Sequence, residues 1–213
     1  LIVSTSGDEK KEVVLPYGSE VHLNVNSRLS YPEKFRRNSR NVSISGEGFF
    51  KIQRDPGKPF ALNMAERATV EVLGTSFNVE APMESNNTRI QVVEGSVAFY
   101  ASGARDSRAI LKKGDQAEIY QGQVVLNSTP DPNFLSWQTG ILYFNQSPLA
   151  DVVAQIEEHY GRNISLNENI PNDMVFTSTI DNQKLEDVLE EMSLVLKLTI
   201  TYNPDTIRIS KQH

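Results

Sequence analysis

The sequence predicts an all-β first section, a twisted solenoid- or sandwich-like stack of short strands, followed by a small α+β section of order βαβ-βαββ. Three observations carry this. A glycine-then-apolar signature recurs at Gly18, Gly46, Gly74, Gly95 and Gly114, at spacings of 28, 28, 21 and 19 residues. Each glycine supplies turn conformations, and each opens an alternating run that reads as a half-buried strand. After Leu126 the apolar period changes from 2 to 3.6, and the change falls at the double-proline stretch Asn127-Ser-Thr-Pro-Asp-Pro-Asn.

In the first section, alternation or β-branched and aromatic content marks strands in chain order. They are Val13–Leu15, Glu20–Val25, Asn41–Ser45, Gly48–Gln53, Phe60–Asn63 and Ala68–Val72, then Ser76–Glu80, Arg89–Val93, Ser96–Tyr100, Ala109–Leu111, Gln116–Tyr120 and Val124–Leu126. Pro16-Tyr-Gly, Asp55-Pro-Gly-Lys-Pro, Glu84-Ser-Asn-Asn and Ser102-Gly lie between them as turns. No helical period persists for two turns, so this section is expected to be free of helix.

In the second section, Ile141–Phe144 reads as a strand. Ser147-Pro148 then offers an N-cap and a proline at the first helical position. Leu149, Val152, Val153, Ile156 and Tyr160 form one helical stripe, which Gly161 closes. Strands at Asn163–Leu166 and Met174–Ile180, a helix at about Lys184–Leu194, and a hairpin of Lys197–Tyr202 with Thr206–Ser210 complete the order. The expectation is two βαβ halves in tandem, with both helices on one side of one small sheet. The domains so drawn are 1–126, a linker 127–136, and 137–213.

The chain has 213 residues, no cysteine and a formal charge of −6. Absence of cysteine excludes disulfides, a thiolate nucleophile and a Cys-based zinc site. No apolar run is long enough to span a membrane. The chain opens at Leu1 without methionine or a basic segment, which reads as a processed or cut chain whose upstream part could hold an anchor. Residues 1–136 balance 16 basic against 16 acidic side chains, so the whole −6 sits in residues 137–213. An acidic module repels phosphate, which argues against nucleic-acid binding. Seven of its acids (Asp151, Glu157, Glu158, Glu186, Asp187, Glu190 and Glu191) lie on the two helices, opposite their apolar stripes, and are expected to face solvent.

The sequence carries no catalytic constellation. His22 alternates with Val21 and Leu23 and should point outward; His159 sits at a helix end and His213 at the terminus. No two are near in sequence, so a His-metal site is not indicated. Glu157-Glu158 and Glu190-Glu191 are helix neighbours that do not face one another. Glu47, in Gly46-Glu47-Gly48, reads as a turn carboxylate bound to backbone amides. Lys34, Arg36, Arg37 and Arg40 read as a solvated basic loop. There is no phosphate loop, dinucleotide fingerprint or nucleophile elbow.

An ordered series of motifs resembles the periplasmic region of FecR-type anti-sigma regulators. They are Val14-Leu-Pro-Tyr-Gly-Ser-Glu-Val-His-Leu-Asn with Ser27-Arg-Leu-Ser-Tyr-Pro, Arg40-Asn-Val-Ser-Ile-Ser-Gly-Glu-Gly-Phe-Phe, Lys58-Pro-Phe, Val72-Leu-Gly-Thr-Ser-Phe-Asn-Val, Val93-Glu-Gly-Ser-Val and Leu111-Lys-Lys-Gly-Asp-Gln. Trp137-Gln-Thr-Gly-Ile-Leu-Tyr-Phe and the segments after it resemble the short N-terminal module of secretins and TonB-dependent transducers. One departure is Tyr17 where the family usually has Asp; Gly18 should carry the turn regardless.

The resemblance implies a relay without catalysis or cofactor. The periplasmic part of a single-span inner-membrane protein would dock the signalling domain of a TonB-dependent outer-membrane transducer. A cytoplasmic region outside this chain would act on a sigma factor. Gly18, Ser19, Gly46, Glu47, Gly74, Thr75, Phe77, Gly95, Gly114 and Trp137 are read as structural motif residues. Docking candidates are Thr199, Thr201, Thr206 and Arg208 on the last hairpin, taken as a sheet edge, with Glu186 and Glu190 on the acidic helical face. Two other classes stay open: a carbohydrate-binding or adhesin-like module with Tyr31, Phe35, Tyr100 and Tyr120 as an exposed platform, and a cupin-like metal enzyme.

Overall fold

The computed structural model describes residues 1–84 and 88–212. Residues 85–87 of the turn expected at Glu84-Ser-Asn-Asn, and His213, lie outside them. The chain divides into two compact units, Leu1–Asp131 and Pro132–His213.

The first unit contains β1 (Ile2–Ser4), β2 (Lys11–Val14), β3 (Glu20–Leu23), β4 (Arg28–Ser30), β5 (Arg40–Lys51), β6 (Phe60–Met64) and β7 (Ala68–Val72). Then follow β8 (Ser76–Ala81), β9 (Arg89–Glu94), β10 (Ser96–Ala101), β11 (Ala109–Lys112), β12 (Gln116–Tyr120) and β13 (Gln123–Leu126). They form one large sheet, nearly closed on itself, with β5 at its centre. The first half of β5 pairs with β4 antiparallel and β6 parallel; its second half pairs with β3 and β8, both antiparallel. From β5 the sheet runs one way through β6, β7, β10 and β11, and the other through β8, β9, β12 and β13.

Three points depart from the sequence expectation. The two strands expected at Asn41–Ser45 and Gly48–Gln53 are one twelve-residue strand, and Gly46 (φ +93°) bends it without ending it. Buried positions alternate on both sides of that bend, at Val42, Ile44, Gly48 and Phe50. Strands β1 and β4 were not foreseen, because three residues are too few to show alternation. Among its described residues, a single 3-10 turn at Arg105–Ser107 interrupts a section otherwise free of helix.

Alternation sends Leu62, Val70, Val79, Ile90 and Phe99 into one core. Phe50 lies opposite Phe77 in the ladder, and their rings stack at 5.3 Å. Phe50 also packs against Phe60 at 6.3 Å. Each fully buried aromatic of this kind stabilises by about 2–3 kcal/mol.

The second unit contains α1 (Ser136–Thr139), β14 (Ile141–Pro148), α2 (Leu149–Tyr160), β15 (Ile164–Leu166), β16 (Val175–Asp181), α3 (Leu185–Leu196), β17 (Leu198–Tyr202) and β18 (Ile207–Lys211). From β14 onward the element order is the expected one, preceded by the short helix α1 that the sequence did not indicate, but the single sheet is not found. β14 pairs with β16 in one sheet, and β15, β18 and β17 lie in that order in a second. Tandem halves would pair β14 with β15. Instead each strand of the first half takes its partner from the other, so the halves interleave. Alternation marks which face of a strand is buried and carries no information about its partner, so this pairing has no signature in the sequence.

The stripe Leu149, Val152, Val153 and Ile156 on α2 and the stripe Leu185, Val188, Leu189 and Met192 on α3 are buried in one core with Phe144, Phe176, Ile180 and Ile209. Gly161 closes α2 with φ 63° and donates to the Glu157 carbonyl at 2.8 Å. Ser147 is not the cap: β14 runs through Pro148, which takes the N-cap position, and Ser147 Oγ accepts instead from the Asn145 amide.

Candidate interaction site

The motif residues of the first unit hold the sheet together. Gly18 and Tyr17 both have positive φ (83° and 72°), so the turn joining β2 and β3 places its demand on two residues and not on Gly18 alone. Ser19 is buried and its Oγ accepts the Gln53 amide at 3.1 Å. At the bend of β5, Ser27 Oγ accepts the Glu47 amide at 2.9 Å. The Glu47 carboxylate takes side-chain amides, Asn24 Nδ2 at 2.7 Å and Asn78 Nδ2 at 2.9 Å, in place of the backbone amides expected. Gly74 passes so close to Arg54 that a Cβ would lie 2.5 Å from its Cα. Thr75 is buried and donates to the Ser96 carbonyl, and Gly95 (φ +85°) packs against the same hydroxyl. Phe77 is fully buried, whereas Gly114 (φ +91°) sits in an open turn.

Arg40 corrects the reading of the basic loop. Lys34, Arg36 and Arg37 are exposed, but Arg40 is 2% exposed and stands under the sheet. Its Nε donates to the Lys58 carbonyl at 2.8 Å, Nη1 to Gln53 at 2.7 Å and Nη2 to Leu73 at 3.4 Å, with Phe60 beneath the guanidinium. Burial holds its pKa below the usual arginine value, and Asp55 opposes that. The aromatic platform also fails, because Phe35 and Tyr100 are buried and Tyr31 is half-buried; Tyr120 is exposed. His22 is half-buried beside Phe49. No group of three or more metal-ligating side chains occurs among the described residues.

The expected linker is anchored to each unit separately. Gln116 exchanges two hydrogen bonds with the Asp131 backbone, both 2.8 Å, within the first unit. Asn133 exchanges two with the Tyr143 backbone, at 2.7 and 3.0 Å, within the second. Trp137 is half-buried in α1.

In the second unit, β17 is an edge strand and β18, the other arm of the hairpin, is central. The Asn203 amide donates to the Thr206 carbonyl, and Gln212 to Lys197. Hydrogen-bonded pairs alternate along an antiparallel ladder, so the pairs Thr201–Arg208 and Thr199–Ser210 bond inward. The amides of Thr199 and Thr201, taken as a possible outward edge, therefore belong to the ladder, although their side chains are exposed. Leu198, Ile200 and Tyr202 turn their main chain outward, and Ser193 Oγ already covers the Leu198 carbonyl. The open edge is thus Ile200 and Tyr202.

Tyr202 is the residue the sequence reading missed. It is 55% exposed, and burial, then Glu186 and then Glu190, raise its pKa above the ordinary phenol value. It therefore brings the edge and the acids of α3 into one patch. Arg208 is exposed across the ladder from Thr201, while Thr206 is half-buried in the turn. Two of the seven helical acids face inward instead: Glu157 accepts the Ile164 amide and Glu191 the Ser178 hydroxyl. Exposed Leu194 and Val195 add an apolar surface on α3.

Comparison with known proteins gives the following. Residues 2–98 match the family described as FecR protein, and residues 141–209 match that described as FecR, C-terminal. Two crystal structures of a candidate anti-sigma factor from Parabacteroides distasonis ATCC 8503, at 1.65 and 2.50 Å, are each 31% identical in sequence. They superpose with TM-scores of 0.73 and 0.72, covering 100% of this chain and 100% and 99% of theirs. No curated protein matches. Among the described residues no helix is long and apolar enough to cross a membrane.

Proposed function

The chain belongs to the FecR family, and from that premise we propose that it is the periplasmic relay of a membrane-anchored anti-sigma regulator. It docks the signalling domain of a TonB-dependent outer-membrane transducer, and a region outside this chain passes the signal to an extracytoplasmic-function sigma factor. The task is recognition, not catalysis, and it needs no cofactor. Residues 1–126 and 137–213 are the two domains of this reading, joined by 127–136.

The observation that carries it is the open edge of β17. Ile200 and Tyr202 offer main-chain groups to an added strand, and Glu186, Glu190 and Arg208 surround them with charge. Main-chain bonds supply affinity in such strand addition, and flanking charges supply selectivity. The motif residues Gly46, Gly74 and Gly95 are structural supports and stay out of the contact. Titration of this chain with the signalling domains of the TonB-dependent transducers of its own organism is expected to give saturable one-to-one binding with one of them. Calorimetric titrations without saturable heat for any of them overturn the reading.

A further inference from the structure

A groove of about 670 Å³ lies on the first unit, with β7, β10 and β11 among its walls. Its floor is made of small residues. Ala98 stands between Ile110 on one neighbouring strand and Glu71 on the other, and Ser96 and Gly95 continue the row. Ile110 (59% exposed) and Leu73 (41% exposed) present apolar surface to it. Alternation hides Leu111 in the core, so the neighbouring Ile110 faces outward.

The charges along the groove are one-sided. Arg54, Lys112 and Lys113 line it, and none of the three forms an ion pair among the described residues. The acid among the lining residues, Glu71, is already engaged: one oxygen accepts the Tyr100 hydroxyl at 2.8 Å and the other Arg105 at 3.0 Å.

We propose that this groove is a second docking site, which takes an extended acidic peptide segment of a partner protein. The segment lies along the floor of Ser96 and Ala98, sets an apolar side chain against Ile110 and Leu73, and directs carboxylates to Arg54, Lys112 and Lys113. The site is on the first unit and independent of the β17 edge. An uncharged segment would gain the apolar contact alone, so the cations select acidic sequences.

The test uses this chain and a fluorescein-labelled peptide, Glu-Val-Glu-Leu-Glu-Val, followed by anisotropy. Saturable binding is expected, weakening with added salt as screened charge pairs do. The counterpart with glutamine for glutamate, and the double variant Lys112→Glu/Lys113→Glu, should each bind at least about tenfold more weakly, the equivalent of one good charge contact. Ala98→Trp fills the groove from its solvent side and should abolish binding while melting like wild type. Arg208→Glu, on the other unit, should bind as wild type does. Equal affinity for the glutamine peptide, unchanged binding by Ala98→Trp, or no saturation by millimolar peptide each overturns the proposal.

Discussion

A Cβ added to Gly46 would lie 2.5 Å from Ser27 Oγ and 2.7 Å from Ser27 Cα. The same hydroxyl oxygen accepts the next amide of β5, so the close approach and the hydrogen bond are one device that fixes the bend. Gly46 is needed twice over, for its positive φ and for the missing side chain.

Gly46→Ala should therefore destabilise the first unit by about 2–4 kcal/mol, combining backbone strain with the displacement of Ser27. Gly114→Ala meets the strain alone, since no atom lies within 4 Å of its Cβ, and should cost about 1–2 kcal/mol. Urea unfolding of the two variants measures the difference; an equal or reversed ranking refutes the assignment.

Arg40 is buried with three carbonyl partners and an aromatic ring, and no shorter cation spans them. Arg40→Lys should cost about 3 kcal/mol, because it leaves an ammonium and at least two carbonyls poorly satisfied. Arg37→Lys, at an exposed position, is the control and should change the unfolding midpoint little.

The phenol of Tyr202 keeps its proton in the folded unit to a higher pH than in the unfolded chain. Its stabilising contribution is fully present below the unfolded value of about 10 and is lost as pH rises through the folded value. Unfolding in urea should become easier as pH climbs above about 10, and Tyr202→Phe should lessen that slope. Glu186→Gln with Glu190→Gln should bring the tyrosinate transition of Tyr202 down toward the ordinary value, read as the absorbance difference from a Tyr202→Phe background.

Proline separates the two faces of β17. Tyr202→Pro removes an outward donor and should weaken transducer docking at least about tenfold while the second unit stays folded. Thr201→Pro removes a donor to the ladder with β18 and should lower the melting temperature of that unit. Docking that survives Tyr202→Pro in a folded chain moves the site off this edge.

Much of the architecture was legible because the alternating residues are strongly patterned. Ala68–Val72 and Gln116–Tyr120 were delimited to the residue, and the helix ending at Gly161 announced its own stop. Gly46-Glu47-Gly48 misled because a glycine pair looks like a turn, and only the distant Ser27 makes it the middle of a strand. Arg40 looked like one of four loop cations, since its carbonyl partners come from three separate segments. The interleaving of the second unit left no local trace. Tyr202 did leave one: the Asn203-Pro-Asp-Thr turn sets the ladder phase, and the residue before it falls at a non-bonded pair.

The central place of β5 also governs the order in which the first unit can assemble. Two of its partners, β3 and β4, precede it in the chain and two, β6 and β8, follow it. A chain emerging from its N-terminus thus holds a twelve-residue strand with half of its backbone groups unmatched until residue 81 has appeared. Such an edge is a template for pairing with a neighbouring molecule. Once β6 and β8 are in place, losing either strips backbone bonds from the strand on which the other wing also rests, so the inner strands open together while outer strands such as β13 can fray alone.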